Sequence, residues 1–149
     1  MFKILLALHL LTAIFAIGPL VHAATTAVRG LRTADAGATA SAARTVTIYS
    51  YVSVLVVVFG FGLMSMDSPY GPGKVAEFSE TWIWLSALLW LVAVGLALGI
   101  IAPALGQATA KIGAGESVDS LRGRVAASGG VVGLIFAVIV FLMVYKPGS

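Results

Sequence analysis

The residues with the most chemical potential are two histidines, His9 and His22, and the methionines Met64, Met66 and Met143. Imidazole and thioether together suit Cu(I) or a His/Met haem. Both histidines fall in one long apolar segment that reads as a helix, thirteen residues apart. That spacing sets them about 220° apart around the axis and about 20 Å along it, too far to share a metal or a haem. No histidine follows residue 22, so a bis-His haem held between helices is excluded. What remains is His9 with Met64, Met66 and Met143, all expected towards the same end of the molecule. Methionine near a helix end is more often apolar filler. The expectation is therefore no resident metal or cofactor, with copper or haem at His9 as the alternative.

Other chemistry is sparse. There is no cysteine, which removes disulfides, thiolate metal sites and Cys nucleophiles. Asp67, Glu77 and Glu80 crowd one Pro/Gly-rich loop, read here as flexible and solvated, a poor setting for paired-carboxylate catalysis. The apolar segments carry no carboxylate, lysine or arginine of the sort that marks proton relays. Thr12, Ser50, Ser53, Ser86 and Ser128 are polar, but hydroxyls on such helices mostly bond a backbone carbonyl or a neighbouring helix. No nucleophile or phosphate-cradling motif occurs, and the chain reads as not an enzyme, with no catalytic residue.

Charges cut the chain into four apolar windows, Lys3 to Arg29, Arg44 to Asp67, Glu80 to Lys111 and Arg124 to Lys146. Each is long enough to cross a hydrocarbon core of about 30 Å at about 1.5 Å per residue. Hydrophobic residues are 60% and charged residues 10% of the whole, far from soluble proportions, and the mean hydropathy is +1.05. The fold class expected is all-α, a single domain of four transmembrane helices in an antiparallel bundle, with spans at about 3–28, 45–66, 81–105 and 125–145. The first segment also has the features of an export signal, with Lys3 before an apolar run and Val21-His22-Ala23 as a cleavage-like end. Its apolar run of about 18 residues exceeds the usual signal core and matches a membrane span, so a retained helix is expected. Ser68-Pro69-Tyr70-Gly71-Pro72-Gly73 breaks the helical pattern, and Ser79 before Glu80 reads as the cap of the third helix.

The loops after the first and third spans, residues 29–44 and 106–124, hold Arg29, Arg32, Arg44, Lys111, Arg122 and Arg124. The other side holds Lys3, Lys74 and Lys146. The imbalance places those two loops in the cytoplasm and both termini outside, in what composition suggests is a bacterial plasma membrane. Trp82, Trp84, Tyr145, Tyr49 and Tyr51 are expected as interfacial anchors. The pI near 9.5 comes from scattered basic residues without aromatic interleaving, so no nucleic acid partner is expected.

The chain also carries a weak internal repeat. Pro19, Ala24, Thr25 and Val28 align with Pro103, Ala108, Thr109 and Ile112, suggesting two copies of one helical hairpin related by a pseudo-two-fold along the membrane normal. Pro19 and Pro103 should each interrupt a helix. Gly95-x-x-x-Gly99 and Gly129-x-x-x-Gly133 are small-residue spacings that let helix backbones approach, and the third and fourth spans are expected to pack through them.

Leu8-His9-Leu10, the Gly18-Pro19 break and the Trp-rich start of the third span resemble a bacterial, actinobacterial-looking family of small four-span integral membrane proteins without an assigned activity. Composition and span number are also similar to small subunits such as the association factor of the mycobacterial respiratory supercomplex. The Leu-His opening is distantly similar to the copper-resistance D membrane family, which implies a role in copper uptake, although the additional His pairs of that role are absent. The supercomplex likeness implies a non-catalytic accessory subunit of electron transport. Its partners would be a larger integral membrane complex and lipids, with no soluble substrate. A small copper- or haem-binding protein and a small transporter built on the hairpin repeat are the alternatives.

Overall fold

The computed structural model describes all 149 residues. It contains four long helices: α1 (Phe2–Arg32), α2 (Ala36–Met64), α3 (Thr81–Gly113) and α4 (Asp119–Tyr145), each long and apolar enough to cross a membrane. The protein is an all-α, multi-pass membrane protein with a four-helix bundle fold. At about 1.5 Å per residue α1 and α3 are about 46 and 50 Å long, so both outrun a hydrocarbon core of about 30 Å.

The helices run further than the apolar windows at the end bearing the two basic connections. α2 begins at Ala36 because residues 36–43 are rich in the strong helix former alanine. The Asp35 carboxylate caps its start, accepting a hydrogen bond from the Ala38 N–H at 3.0 Å. The expected 29–44 loop therefore shrinks to Thr33-Ala34-Asp35, with Ala34 at φ 49°. The expected 106–124 loop shrinks to residues 114–118, turning at Gly115, φ 73°. Tyr49 and Tyr51, expected at the start of a span, consequently lie near the middle of α2.

At the opposite end, the 65–80 connection is tied down rather than loose. The Ser68 N–H donates to the Gly73 carbonyl at 2.8 Å and the Val75 N–H to the Met66 carbonyl at 2.9 Å, closing a turn around Gly73 at φ 103°. Phe78 stacks on Phe61 and leans on Trp84, whose indole N–H donates to the Phe78 carbonyl. The residue that caps α3 is Glu80, not Ser79. Its carboxylate accepts from the Glu77 N–H at 2.9 Å and from the Trp82 indole, but from no backbone N–H of the first turn of α3.

The helices pack in a ring, α1 on α2, α2 on α3, α3 on α4 and α4 on α1. In the half nearer the short connections all four pairings are made. Towards the termini the contacts stay within the pairs α1–α2 and α3–α4, and those between pairs thin out. The main core follows this pattern. It joins Leu20, Ala24 and Leu31 of α1 to Val46 of α2, Ala97, Leu105 and Ala108 of α3, and Val125 and Val132 of α4. Its many alanines bring backbones close, the source of dispersion contact where lipid leaves little hydrophobic driving force between helices. A second cluster of Met64, Ala76, Trp82 and Ile83 sits under the 65–80 connection.

Both prolines interrupt their helices in the same way. A five-residue π-helical turn, Ala13–Ile17, precedes Gly18-Pro19 in α1, and another, Ala97–Ile101, precedes Ala102-Pro103 in α3. Proline has no N–H for the carbonyl four residues back and its ring crowds that carbonyl; the wider turn relieves both problems. A shift of 84 residues carries one turn onto the other and Pro19 onto Pro103. The same shift carries the Thr25 hydroxyl, which donates to the Val21 carbonyl at 2.7 Å, onto the Thr109 hydroxyl, which donates to the Leu105 carbonyl at 2.9 Å. α1 and α3 thus share one local design from the π turn through the threonine.

Candidate functional site

His9 lies on the third turn of α1, facing α2. Its Nδ1 is 2.9 Å from the Val56 carbonyl oxygen. A carbonyl only accepts, so Nδ1 carries a proton and donates, and Nε2 points away from this bond. Gly60 makes room for this. A Cβ there would stand 3.2 Å from His9 Cε1 and 3.4 Å from Nδ1. The exchange of an N–H for a backbone carbonyl between helices is the usual satisfaction of a membrane histidine, and it is also how a metal-binding imidazole is oriented.

The methionines expected beside it do not form a set with it. Met64 is buried with Ala76, Trp82 and Ile83, and Met143 lies on an exposed face of α4. Met66 enters the 65–80 turn, where its carbonyl receives the Val75 N–H. No group of three His, Asp or Glu side chains gathers anywhere in the chain.

The polar side chains that meet between helices do so on the α2–α3 seam. The Trp90 indole N–H donates to the Ser53 hydroxyl at 3.0 Å, and Ser53 donates to the Ser50 carbonyl at 2.6 Å. Nearer the short connections the Thr39 and Thr109 hydroxyls are 2.8 Å apart. The hydroxyls of Ser50 and Ser86 are buried without a partner. The serines are legible in sequence as polar breaks in apolar runs. Thr39 is not, because it lies in a stretch that reads as a loop.

The two glycine pairs behave differently from expectation. Gly129 and Gly133 pack against α1 rather than α3. A Cβ on Gly129 would collide with the Ala24 carbonyl, whose carbon would be 2.9 Å away, and one on Gly133 would stand 3.1 Å from Thr25 Cγ2. Gly95 and Gly99 have no atom within 4 Å of where a Cβ would stand and lie on the exposed face of α3. The α3–α4 pair packs without them, with Ala93 and Ala97 of α3 and Val132 and Phe136 of α4 buried in the shared core. Periodicity shows that a glycine pair is present but not which of two neighbouring helices it faces.

Trp82 is another departure. It is buried, with the Lys146 ammonium 5.6 Å over its ring, and so clamps the end of α4 to the start of α3 instead of anchoring at a lipid surface. Trp84 and Tyr145 are exposed.

No protein-family model, curated protein or solved structure matches this chain.

Proposed function

We propose that the protein is a non-catalytic accessory subunit that packs against a larger integral membrane complex through the free face of α3. The observation that carries this reading is the exposed position of Gly95 and Gly99, one turn apart and unfilled by any helix of this chain. Glycines facing lipid contribute little packing, whereas glycines facing another helix allow close backbone approach. Val92 and Leu88, exposed on the same side one and two turns before Gly95, extend that face towards the 65–80 connection.

The resemblance to small four-span respiratory subunits makes a respiratory chain supercomplex the first partner to test. The surplus of Arg and Lys near the 33–35 and 114–118 connections supports a cytoplasmic position for that end, with the termini outside a bacterial plasma membrane.

A second reading, a small copper or haem protein, is favoured by one observation. His9 is held by its Nδ1–H, leaving Nε2 free to bind. It ranks lower because no second ligand gathers with it.

The test is gentle extraction from native membranes by a tag at the C-terminus, with mass spectrometry and an absorbance scan of the eluate. A stoichiometric larger complex that accounts for all bound cofactor supports the subunit reading. A lone protein with copper or haem that disappears in His9→Ala overturns it in favour of the second.

A further inference from the structure

A groove of about 420 Å³ opens between α1 and α2 at the end bearing the 33–35 connection, within the volume range of small-ligand sites. Its only apolar lining residues are four alanines; its chemistry comes from His22, Arg29, Thr26, Ser41, Thr45 and Asp35. In a chain as apolar as this one, such a concentration of polar groups calls for a partner.

Its depth can be placed by counting. Twenty residues separate Phe2 from His22, about 30 Å of helix, which is the thickness of the hydrocarbon core. With Phe2 at one face of the membrane, the groove, running from His22 to Asp35, falls at the headgroup level of the other face.

The donors and acceptors in it are unequal. Arg29 has no carboxylate partner, since the one ion pair of the structure joins Arg122 to Asp119 at 3.1 Å. The His22 ring and the hydroxyls of Ser41 and Thr45 make no hydrogen bond within the protein and are free to donate. The Thr26 and Thr33 hydroxyls already donate to the carbonyls of His22 and Arg29, at 2.6 and 3.1 Å, and present only lone pairs. Asp35 spends one oxygen on the Ala38 N–H and has the other free. A bare anion would satisfy the first group and be repelled by the second. A phosphate ester carrying a polyol satisfies both, the phosphate on Arg29 and the free hydroxyls, the polyol O–H groups donating to Thr26, Thr33 and Asp35.

The hairpin fold does not require these groups. Across the 84-residue shift that matches the π turns, His22, Thr26 and Arg29 correspond to Gly106, Ala110 and Gly113, and α3 forms the same helix without them. We infer that the α1–α2 groove binds the headgroup of an anionic polyol phospholipid, such as one esterified with glycerol, at the membrane surface.

The test is native mass spectrometry of the full chain in detergent with phosphatidylglycerol, phosphatidylserine or phosphatidylcholine added. Phosphatidylglycerol should be retained best, and Arg29→Gln should lower its retention about tenfold, the scale of a lost charge-assisted contact. His22→Ala should lower it less, and Arg124→Gln, at the same end but outside the groove, should leave it unchanged. Circular dichroism melting confirms that each variant is folded. Displacement by soluble glycerol phosphate at concentrations comparable to the lipid would keep the polyol-phosphate chemistry but assign the site to a free ligand. Equal retention of phosphatidylserine, or indifference to Arg29→Gln in a folded variant, would overturn the inference.

Discussion

Gly129 of α4 lies directly against the carbonyl group of Ala24 in α1, at a distance that leaves no space for a side chain. This close approach closes the ring of helices, because α1 and α4 are the first and last of the chain and no connection holds them together. Gly129→Ala should therefore force the two helices apart and destabilise the bundle by about 1–3 kcal/mol, the usual cost of overpacking. The neighbouring Gly130 has open space at its Cβ position and is exposed. Gly130→Ala should be neutral or stabilising by up to about 1 kcal/mol through helix propensity. Unfolding in detergent with increasing SDS measures both.

Thr39 and Thr109 pair across α2 and α3. Interhelical hydrogen bonds in membrane proteins couple by about 0.6 kcal/mol on average. A double-mutant cycle with Thr39→Val and Thr109→Val should return a coupling of about that size, and a value near zero would show that each hydroxyl is satisfied by its own helix backbone.

His9 and Gly60 form a lock between α1 and α2 in the half of the bundle where the two pairs of helices draw apart. Gly60→Ala places a methyl group 3.2 Å from His9 Cε1, tighter than ordinary contact, and should shift the ring and lengthen its bond to the Val56 carbonyl. Nitrogen-15 NMR of the ring should show Nδ1 protonated in the wild type and the tautomer preference weakened in the variant. A ring protonated at Nε2 in the wild type would contradict the assignment.

Pro103→Ala restores an N–H opposite the Gly99 carbonyl and removes the ring that crowds it. The π turn at Ala97–Ile101 should then tighten to ordinary α-helix, with slower amide hydrogen exchange over that turn. Pro19→Ala should do the same at Ala13–Ile17 if the two helices share one design, and a response confined to one of them would count against the repeat.

These features were legible in the sequence to different degrees. Four spans follow from charge spacing and hydropathy, and the shared register of Pro19 with Pro103 foreshadows two π turns that no propensity scale marks. Helix ends are less legible. Residues 36–44 look like a loop because the second apolar window opens only at Arg44, yet Asp35 and a run of alanines start the helix nine residues before the expected span. Partner choice is least legible. Gly129 and Gly95 sit in the same spacing pattern, but one meets Ala24 and the other meets nothing, since a helix that is apolar all round gives no sign of which neighbour each face will find. Trp82 is misread for a related reason: an aromatic residue at a helix end packs inward when a connection such as 65–80 covers it.

Docking of a membrane partner on the exposed face of α3 can be read by cross-linking from that face. A photoreactive leucine analogue at Val92, which lies on this face one turn from Gly95 and is itself exposed, is irradiated in native membranes, with the same analogue at Val140 on the exposed face of α4 as control. A docked α3 face gives one discrete protein adduct from Val92, lost in Gly95→Leu/Gly99→Leu, and lipid adducts alone from Val140. Only lipid adducts from both positions would contradict it.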